Sequence, residues 1–339
     1  MKSVVIGSEG FEIVELETPQ PGPGEVLIKM LACGLCGTDV EKLEGRYKGS
    51  KPVIGHEAAG IVAAVGEGVT SLKIGEAVVP HHHVNCGSCY YCIKGSPTMC
   101  PSYREYNFTP GGFSEYFIVP KFIVERRGIH KIPPGLDPIH ACLTEPTACI
   151  LRAIKRIAVE EPESYAVVGL GAMGLTFTQI LRLNGAEQVF GLDINPLRLE
   201  VAEKYGATPL NPSTIDAVEK VRDMTGGRGV DVSIIAAGSP LALPLGIRLA
   251  RRGGQVLLFA VPPHGSTLQH DISDLIVREV TIIPSNAATD REMAEALNLI
   301  VNSRIDLRGL VTHSYRIEEF EGALRTFKNG EGIKIVITP

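Results

Sequence analysis

The sequence predicts an α/β protein with two domains, and a change of pattern along the chain carries this prediction. Up to about residue 120, short apolar alternations are broken by turn residues, as in Glu25–Met30 after the turn Pro21–Gly24, which is typical of a β-rich domain. From residue 145, strands and helices alternate, which is typical of a parallel sheet with helices packed on it. The length of 339 residues is sufficient for two domains with large buried cores.

A glycine-rich turn in the second half predicts a dinucleotide-binding domain. The apolar strand Ala166–Val168 leads into the pattern G-x-G-x-x-G at residues 169–174, and a helix with apolar residues at helical spacing follows. The next strand, Gln188–Leu192, ends at Asp193, and this context makes the glycine pattern specific. Candidate strands at 231–235, 255–260 and 280–283, with a weaker one around 209–210, complete a doubly wound parallel sheet of six strands.

The residues of this turn have distinct expected roles. Gly169 permits the tight turn, Gly171 lets the backbone approach a pyrophosphate at the helix N-terminus, and Gly174 lets helix and strand pack closely. Asp193 would accept hydrogen bonds from both ribose hydroxyls and repel a 2′-phosphate, so we expect NAD rather than NADP. Arg198 is either a cation that could bind a 2′-phosphate or a solvent-exposed helix charge. The cofactor-binding residues predicted here are Gly169, Leu170, Gly171, Ala172, Met173, Gly174, Asp193 and Arg198.

Composition and charge restrict the class of protein. A formal net charge of −5 provides no basic surface for nucleic acid or an anionic membrane, so we expect neither as a partner. The first residues lack the apolar core of a secretory signal, and no long apolar run follows. We therefore expect a cytoplasmic protein with a small-molecule substrate.

A thiol, an imidazole and carboxylates predict an open, catalytic zinc site. Zn²⁺ accepts sulfur, nitrogen and oxygen ligands, and a catalytic site keeps about three protein ligands. Cys36 and His56 supply two of them. The third is a carboxylate, either Glu57 beside the histidine or Glu145 at a predicted helix start. Asp39 could accept the other ring N–H of His56 and determine its tautomer. A buried thiol with an ordinary core histidine is the alternative.

A second group of cysteines predicts a structural zinc site. Four thiolates on one loop can surround one Zn²⁺ tetrahedrally and leave no open position. Four unrelated thiols or an iron–sulfur cluster are the alternatives. The three histidines at 81–83 should point to alternating faces of an extended segment, so at most one or two could line a pocket. The cysteines of this group are Cys86, Cys89, Cys92 and Cys100.

These motifs resemble the medium-chain dehydrogenase/reductase superfamily, to which the alcohol dehydrogenases belong. The run Gly55-His56-Glu57-Ala58-Ala59-Gly60, followed by Gly66, is similar to the zinc signature of that superfamily, whose members also carry a four-cysteine lobe. The resemblance covers essentially the whole chain. It implies two zinc ions per chain and a homo-oligomer, either a dimer or a tetramer. It also implies a GroES-like catalytic domain at 1–146 and 286–339, which includes the lobe 86–100, and a Rossmann NAD-binding domain at 147–285.

Within the superfamily, the chain looks most like the polyol branch of sorbitol and L-threonine dehydrogenases. Glu145 stands where classical alcohol dehydrogenases have a third-ligand cysteine, which implies that Glu145 binds zinc directly or through water while Glu57 exchanges on and off the ion. Cys142 and Cys149 flank Glu145 and are rival ligands. Lys334 matches a family position that contacts cofactor phosphates; its alternative is an exposed strand lysine.

The activity that the resemblance implies is NAD-dependent oxidation of a secondary alcohol, a polyol or sugar, to the ketone. Thr38 would take the hydroxyl proton. Glu41 stands where many relatives have a histidine that passes the proton outward, and it could do so if burial raises its pKa; transfer through ribose and water is the alternative. L-Threonine or a simple alcohol is the alternative substrate. A nucleotide-sensing zinc protein without turnover is the alternative of another class.

Overall fold

The computed structural model describes residues 1–8, 10–46 and 53–339. The chain forms two units, Met1–Cys149 with Ala287–Pro339, and Ile150–Asn286. The boundaries expected from the sequence were 146/147 and 285/286. Among the described helices, none combines the length and apolar character that crossing a membrane requires.

The elements follow one another in an order that separates the two units. The strands are β1 (Lys2–Gly7), β2 (Gly10–Glu15), β3 (Val26–Gly34), β4 (Glu57–Val65), β5 (Ala77–Pro80), β6 (Tyr116–Val119), β7 (Ile129–Lys131), β8 (Ser164–Val168), β9 (Gln188–Leu192), β10 (Thr208–Leu210), β11 (Val230–Ile235), β12 (Ala250–Leu258), β13 (Thr281–Pro284), β14 (Val311–Arg316) and β15 (Lys334–Thr338). The helices are α1 (Gly37–Leu43), α2 (Tyr90–Ile93), α3 (Lys121–Glu125), α4 (Pro138–Ala141), α5 (Thr144–Ile154), α6 (Ala172–Leu183), α7 (Pro196–Lys204), α8 (Ala217–Met224), α9 (Ala242–Leu249), α10 (Ile272–Arg278), α11 (Asp290–Val301) and α12 (Phe320–Lys328).

The first unit is built on a mostly antiparallel sheet with the strand order β14-β15-β3-β4-β5-β7, in which β6 also pairs with β3. The central pair, β3 and β4, runs antiparallel and sets Gly34 opposite Glu57. Alternation along these strands buries apolar side chains, and three phenylalanines, Phe113, Phe117 and Phe320, are fully buried in the core. The predicted β-rich domain is confirmed, and the pairing brings the segments that carry the expected zinc ligands together.

The second unit is a parallel sheet of six strands in the order β10-β9-β8-β11-β12-β13. Counted within the unit, this order is 3-2-1-4-5-6, the doubly wound arrangement of dinucleotide-binding folds. All five residues of β8 are buried, as expected for a central parallel strand covered on both faces. The six-stranded sheet predicted from the sequence is confirmed, including β10 at the weakest candidate position.

Candidate active site

Three predicted zinc ligands lie together in the first unit. A sulfur of Cys36, a ring nitrogen of His56 and a carboxylate oxygen of Glu57 all lie within 4.8 Å of one another. Cys36 directly precedes α1, while His56 and Glu57 stand at the start of β4. Sulfur, imidazole and carboxylate are the donors that Zn²⁺ accepts, and three of them leave a fourth position for another ligand. The donor set therefore fits a catalytic zinc ion.

Asp39 organises this group from beneath. Its Oδ1 atom lies 3.1 Å from His56 Nδ1 and accepts a hydrogen bond from the Gly55 N–H at 3.0 Å. Its Oδ2 atom accepts a hydrogen bond from the Cys36 N–H at 3.1 Å. Burial alone would raise the pKa of Asp39, but His56 lowers it below its usual value, so the carboxylate accepts and His56 Nδ1 donates. The expected role of Asp39 is confirmed, and Nε2 of His56 is left for a metal.

Glu57 has a buried cationic partner, Lys334. The two side chains are 1% and 4% exposed, and the Lys334 ammonium forms an ion pair with Glu57 Oε2. The ammonium also donates to the Leu35 carbonyl at 3.1 Å. Burial alone would lower the pKa of Lys334, but Glu57 and then Cys36 raise it above its usual value. This corrects the sequence prediction for Lys334, because its charge is directed to Glu57 inside the first unit rather than exposed for cofactor phosphates.

Glu145 lies in the first turn of α5 and is 6% exposed. It does not belong to the three donors within 4.8 Å of one another, among the residues that the structure describes. Burial raises the pKa of Glu145, and its Oε1 accepts a hydrogen bond from Cys149 Sγ at 3.5 Å. Burial and then Glu145 raise the pKa of Cys149 well above its usual value, which keeps the thiol protonated. The Cys142 thiol donates to the Ile139 carbonyl at 3.2 Å.

The two residues predicted to move the proton lie on α1. Thr38 is half-buried, two residues after Cys36. Glu41 accepts two hydrogen bonds from the Arg46 guanidinium, at 2.8 and 3.1 Å, and is 30% exposed. The hydrogen bond from Arg46 lowers the pKa of Glu41. The condition under which Glu41 could relay a proton, a pKa raised by burial, is therefore not met.

The four cysteines of the second predicted metal site also lie together, with their sulfur atoms within 4.8 Å of one another. The short helix α2 lies between two of them, and backbone N–H groups point at the sulfurs, as from Cys89 to Cys86 Sγ at 3.4 Å. Such N–H groups, from Ser88 and Cys89, lower the pKa of Cys86 to about 6. Four sulfurs with stabilising N–H donors fit a closed, structural zinc site. The members are Cys86, Cys89, Cys92 and Cys100.

The three histidines after β5 are more closely associated with this site than the sequence indicated. The chain bends at His82, so the ring centroids of His82 and His83 lie 3.8 Å apart instead of on opposite faces. The ring of His82 also lies 4.9 Å from the ring of His56. The expected alternation is wrong for this pair. Three consecutive histidines directly before a cysteine-rich loop were the signal in the sequence.

The nucleotide-binding features lie in the second unit, where β8 leads into α6. Gly169 has a φ of +94°, and a Cβ at Gly174 would lie 1.9 Å from the Gly169 carbonyl oxygen, so neither position accepts a side chain. A Cβ at Gly171 would meet no atom within 4 Å, which leaves open space before the helix N-terminus. Asp193 Oδ2 accepts a hydrogen bond from the Leu170 N–H at 2.7 Å, and Arg198 lies 3.8 Å from the same oxygen. This geometry fits a dinucleotide.

Known proteins match both units. Residues 22–133 match the family described as alcohol dehydrogenase GroES-like domain, and residues 172–302 match zinc-binding dehydrogenase. The chain is 32% identical to the sorbitol dehydrogenase of Halalkalibacterium halodurans over 351 residues, covering 100% of this chain and 99% of that protein. This chain belongs to the zinc-dependent alcohol dehydrogenase family. The resemblance and the fold class expected from the sequence are thereby confirmed.

Other relatives extend the range of this dehydrogenase family. The chain is also 32% identical to the L-threonine 3-dehydrogenase of Pyrococcus horikoshii, over 96% of its own length and 94% of that protein. A solved structure from Sinorhizobium meliloti 1021, with NADP bound, has a TM-score of 0.88 and 29% identity, and the match covers 100% of this chain and 99% of that one. The dehydrogenase is thus similar, to the same degree, to enzymes named for different substrates.

Proposed function

We propose that this dehydrogenase uses zinc and NAD to oxidise a secondary alcohol, a polyol or sugar, to the ketone. The observation that carries the proposal is the buried group of Cys36, His56 and Glu57, whose donor atoms lie within 4.8 Å of one another. A protein that only sensed a nucleotide would have no use for a metal site with an open position. The reaction is therefore assigned to that position.

The metal assignments follow from the donor sets. Cys36, His56 and Glu57 would hold the catalytic zinc, and Glu145 is the carboxylate that replaces Glu57 or acts through water. The four cysteines from Cys86 to Cys100 would hold a second, structural ion. When bound, the catalytic ion supplies Lewis acidity, which polarises an alcohol oxygen and lowers the pKa of its proton.

The side chains around this site orient groups and hold the proton. Asp39 fixes the tautomer of His56, and Lys334 neutralises one oxygen of Glu57. We assign the Thr38 hydroxyl as the group that receives the substrate proton, because it stands two residues after Cys36 at a half-buried position. Since Glu41 is engaged with Arg46, onward transfer to water is favoured over transfer through Glu41.

The cofactor is assigned to the glycine turn of residues 169–174 and to Asp193. When bound, NAD accepts the hydride. Asp193 is held by the Leu170 N–H and stays an anion at the end of β9, where it would accept hydrogen bonds from ribose hydroxyls and repel a 2′-phosphate. Arg198 is the group that would favour NADP, which a relative of similar fold binds, but its guanidinium lies 3.8 Å from Asp193. We therefore favour NAD.

The substrate class rests on the carboxylates of the zinc site and on the sorbitol dehydrogenase relatives. L-Threonine is the second candidate, since relatives named for it are equally similar. A homo-oligomer, either a dimer or a tetramer, is also proposed, and light scattering of the purified protein would determine the number.

Reduction of the cofactor tests the proposal directly. Zinc-replete protein is incubated with NAD or NADP and a panel of alditols, sugars, L-threonine and short secondary alcohols, and the absorbance of the reduced cofactor is followed. We expect turnover with NAD and at least one alditol, and none in Cys36→Ser. Absence of turnover with every member would favour the nucleotide-sensing alternative, and turnover with L-threonine alone would favour the second candidate.

A further inference from the structure

Two histidines extend from the zinc site along one line of rings. His82 and His83 are 6% and 8% exposed. The His82 ring lies 4.9 Å from that of His56, and the His83 ring lies 3.8 Å from that of His82. Since His56 is a predicted zinc ligand, the two rings lie within one or two side-chain lengths of the position assigned to the reacting oxygen.

Each of these rings carries a buried nitrogen for which the described part of the chain provides no hydrogen-bond partner. These atoms are His82 Nδ1 and His83 Nε2. The neighbouring His81 differs, because its Nδ1 lies 3.0 Å from Asp290 Oδ1 and is thereby paired. Buried polar atoms in folded proteins nearly always have a partner, from protein, water or ligand. The two nitrogens therefore mark a place where a polar ligand or water belongs.

The chemistry of the two rings indicates which ligand group they suit. Burial, and then the surrounding histidines, lower the pKa of His82 and of His83 well below their usual value. A neutral imidazole presents one donor and one acceptor, and a hydroxyl group can satisfy either. A carboxylate can only accept, and it would find no cationic imidazole here. Hydroxyl groups beside the reacting carbon are thus the best match.

We propose that His82 Nδ1 and His83 Nε2 bind the hydroxyl groups of the substrate next to the oxidised carbon, and so select polyols over simple alcohols. This assignment rests on the proposed function, because it concerns the substrate of the same site. It names the residues that determine specificity, and it leaves zinc binding to the residues already assigned.

Two substrates that differ by one hydroxyl group test the assignment, namely butane-2,3-diol and butan-2-ol. His82→Phe and His83→Phe remove the nitrogens and keep a ring of similar size. We expect kcat/KM for the diol to fall about tenfold to hundredfold, and that for butan-2-ol to change little, since only the diol carries the hydroxyl that loses its partner.

Conservative variants and a control separate recognition from packing. His82→Asn places an amide atom near Nδ1, and His83→Gln places one near Nε2, so both should recover most of the preference for the diol. His313→Phe, on β14 and outside the cluster, should leave both activities unchanged. Equal losses on the two alcohols would show that the rings only support His56, and an unchanged diol activity would show that the nitrogens bind only water; either result overturns the proposal.

Two further results are distinguishable from these. Wild-type protein without turnover of either alcohol would remove the proposed function itself, and with it this assignment. Should the phenylalanine variants fail to fold, the imidazole ¹⁵N resonances of wild-type protein with zinc and NADH decide the question. Addition of the diol, but not of butan-2-ol, should shift the resonances of His82 and His83, and equal or absent shifts would overturn the proposal.

Discussion

Replacing Lys334 with methionine would leave the Glu57 carboxylate without its cationic partner. Both side chains are almost fully buried, at 4% and 1% exposed, and the ammonium also donates to the Leu35 carbonyl at 3.1 Å. The lysine stem packs against Gly34, where an added Cβ would lie 2.9 Å from Lys334 Cε. Methionine keeps most of that stem, so the substitution removes mainly the charge and its hydrogen bond.

The expected loss of stability is large because the remaining charge stays buried. Removing one partner from a buried ion pair typically costs about 3–5 kcal/mol. At roughly 2–4 °C per kcal/mol, this lowers the melting temperature of metal-free Lys334→Met by about 10 °C. Added zinc should reduce the difference from wild type, since a cation at Glu57 replaces the missing positive charge. Thermal unfolding followed by circular dichroism, with chelator and with zinc, measures both effects.

A double-mutant cycle provides the control for Lys334→Met. Glu57→Gln combined with Lys334→Met removes both charges, so the double variant should be more stable in the metal-free state than the sum of the single losses predicts. A metal-free Lys334→Met protein that melts within about 2 °C of wild type, or strictly additive effects in the cycle, would refute the ion pair as a determinant of this site.

Three further predictions concern the two metal sites, the cofactor and the proton path. Cys36→Ser should abolish turnover with little change in melting temperature, whereas Cys89→Ser should mainly lower the melting temperature, because it opens a closed zinc site. Asp193→Gly should raise kcat/KM for NADP relative to NAD, since the carboxylate that repels a 2′-phosphate is lost. Glu41→Gln should leave turnover and its pH profile unchanged, because Glu41 is held by Arg46 in a partly exposed ion pair.

Each of these predictions has a contrary result. Equal losses of melting temperature in Cys36→Ser and Cys89→Ser would contradict the division between a catalytic and a structural ion. An unchanged ratio of cofactor preference in Asp193→Gly, measured by steady-state kinetics, would place ribose recognition elsewhere. Loss of turnover in Glu41→Gln would return Glu41 to the proton path.

The features that the sequence alone determined depend on residues close together in the chain. The glycine pattern at 169–174 lies between a strand and a helix, and the cysteines from Cys86 to Cys100 share one loop, so spacing alone indicates what each can bind. The weak strand candidate around 209–210 was found for the same reason, since the doubly wound order requires a strand there. Local pattern was sufficient for the fold class and for both metal-binding motifs.

The tertiary structure alone decided which side chains share a buried space. Lys334 and Glu57 meet because β15 and β4 both pair with β3, and no local pattern records that neighbourhood. The bend at His82 turned an expected alternation into a stacked pair of rings beside His56. Charge pairing and burial depend on contacts between distant segments, so the environments of Glu41, Lys334 and His82 follow from the packed chain and not from its local sequence.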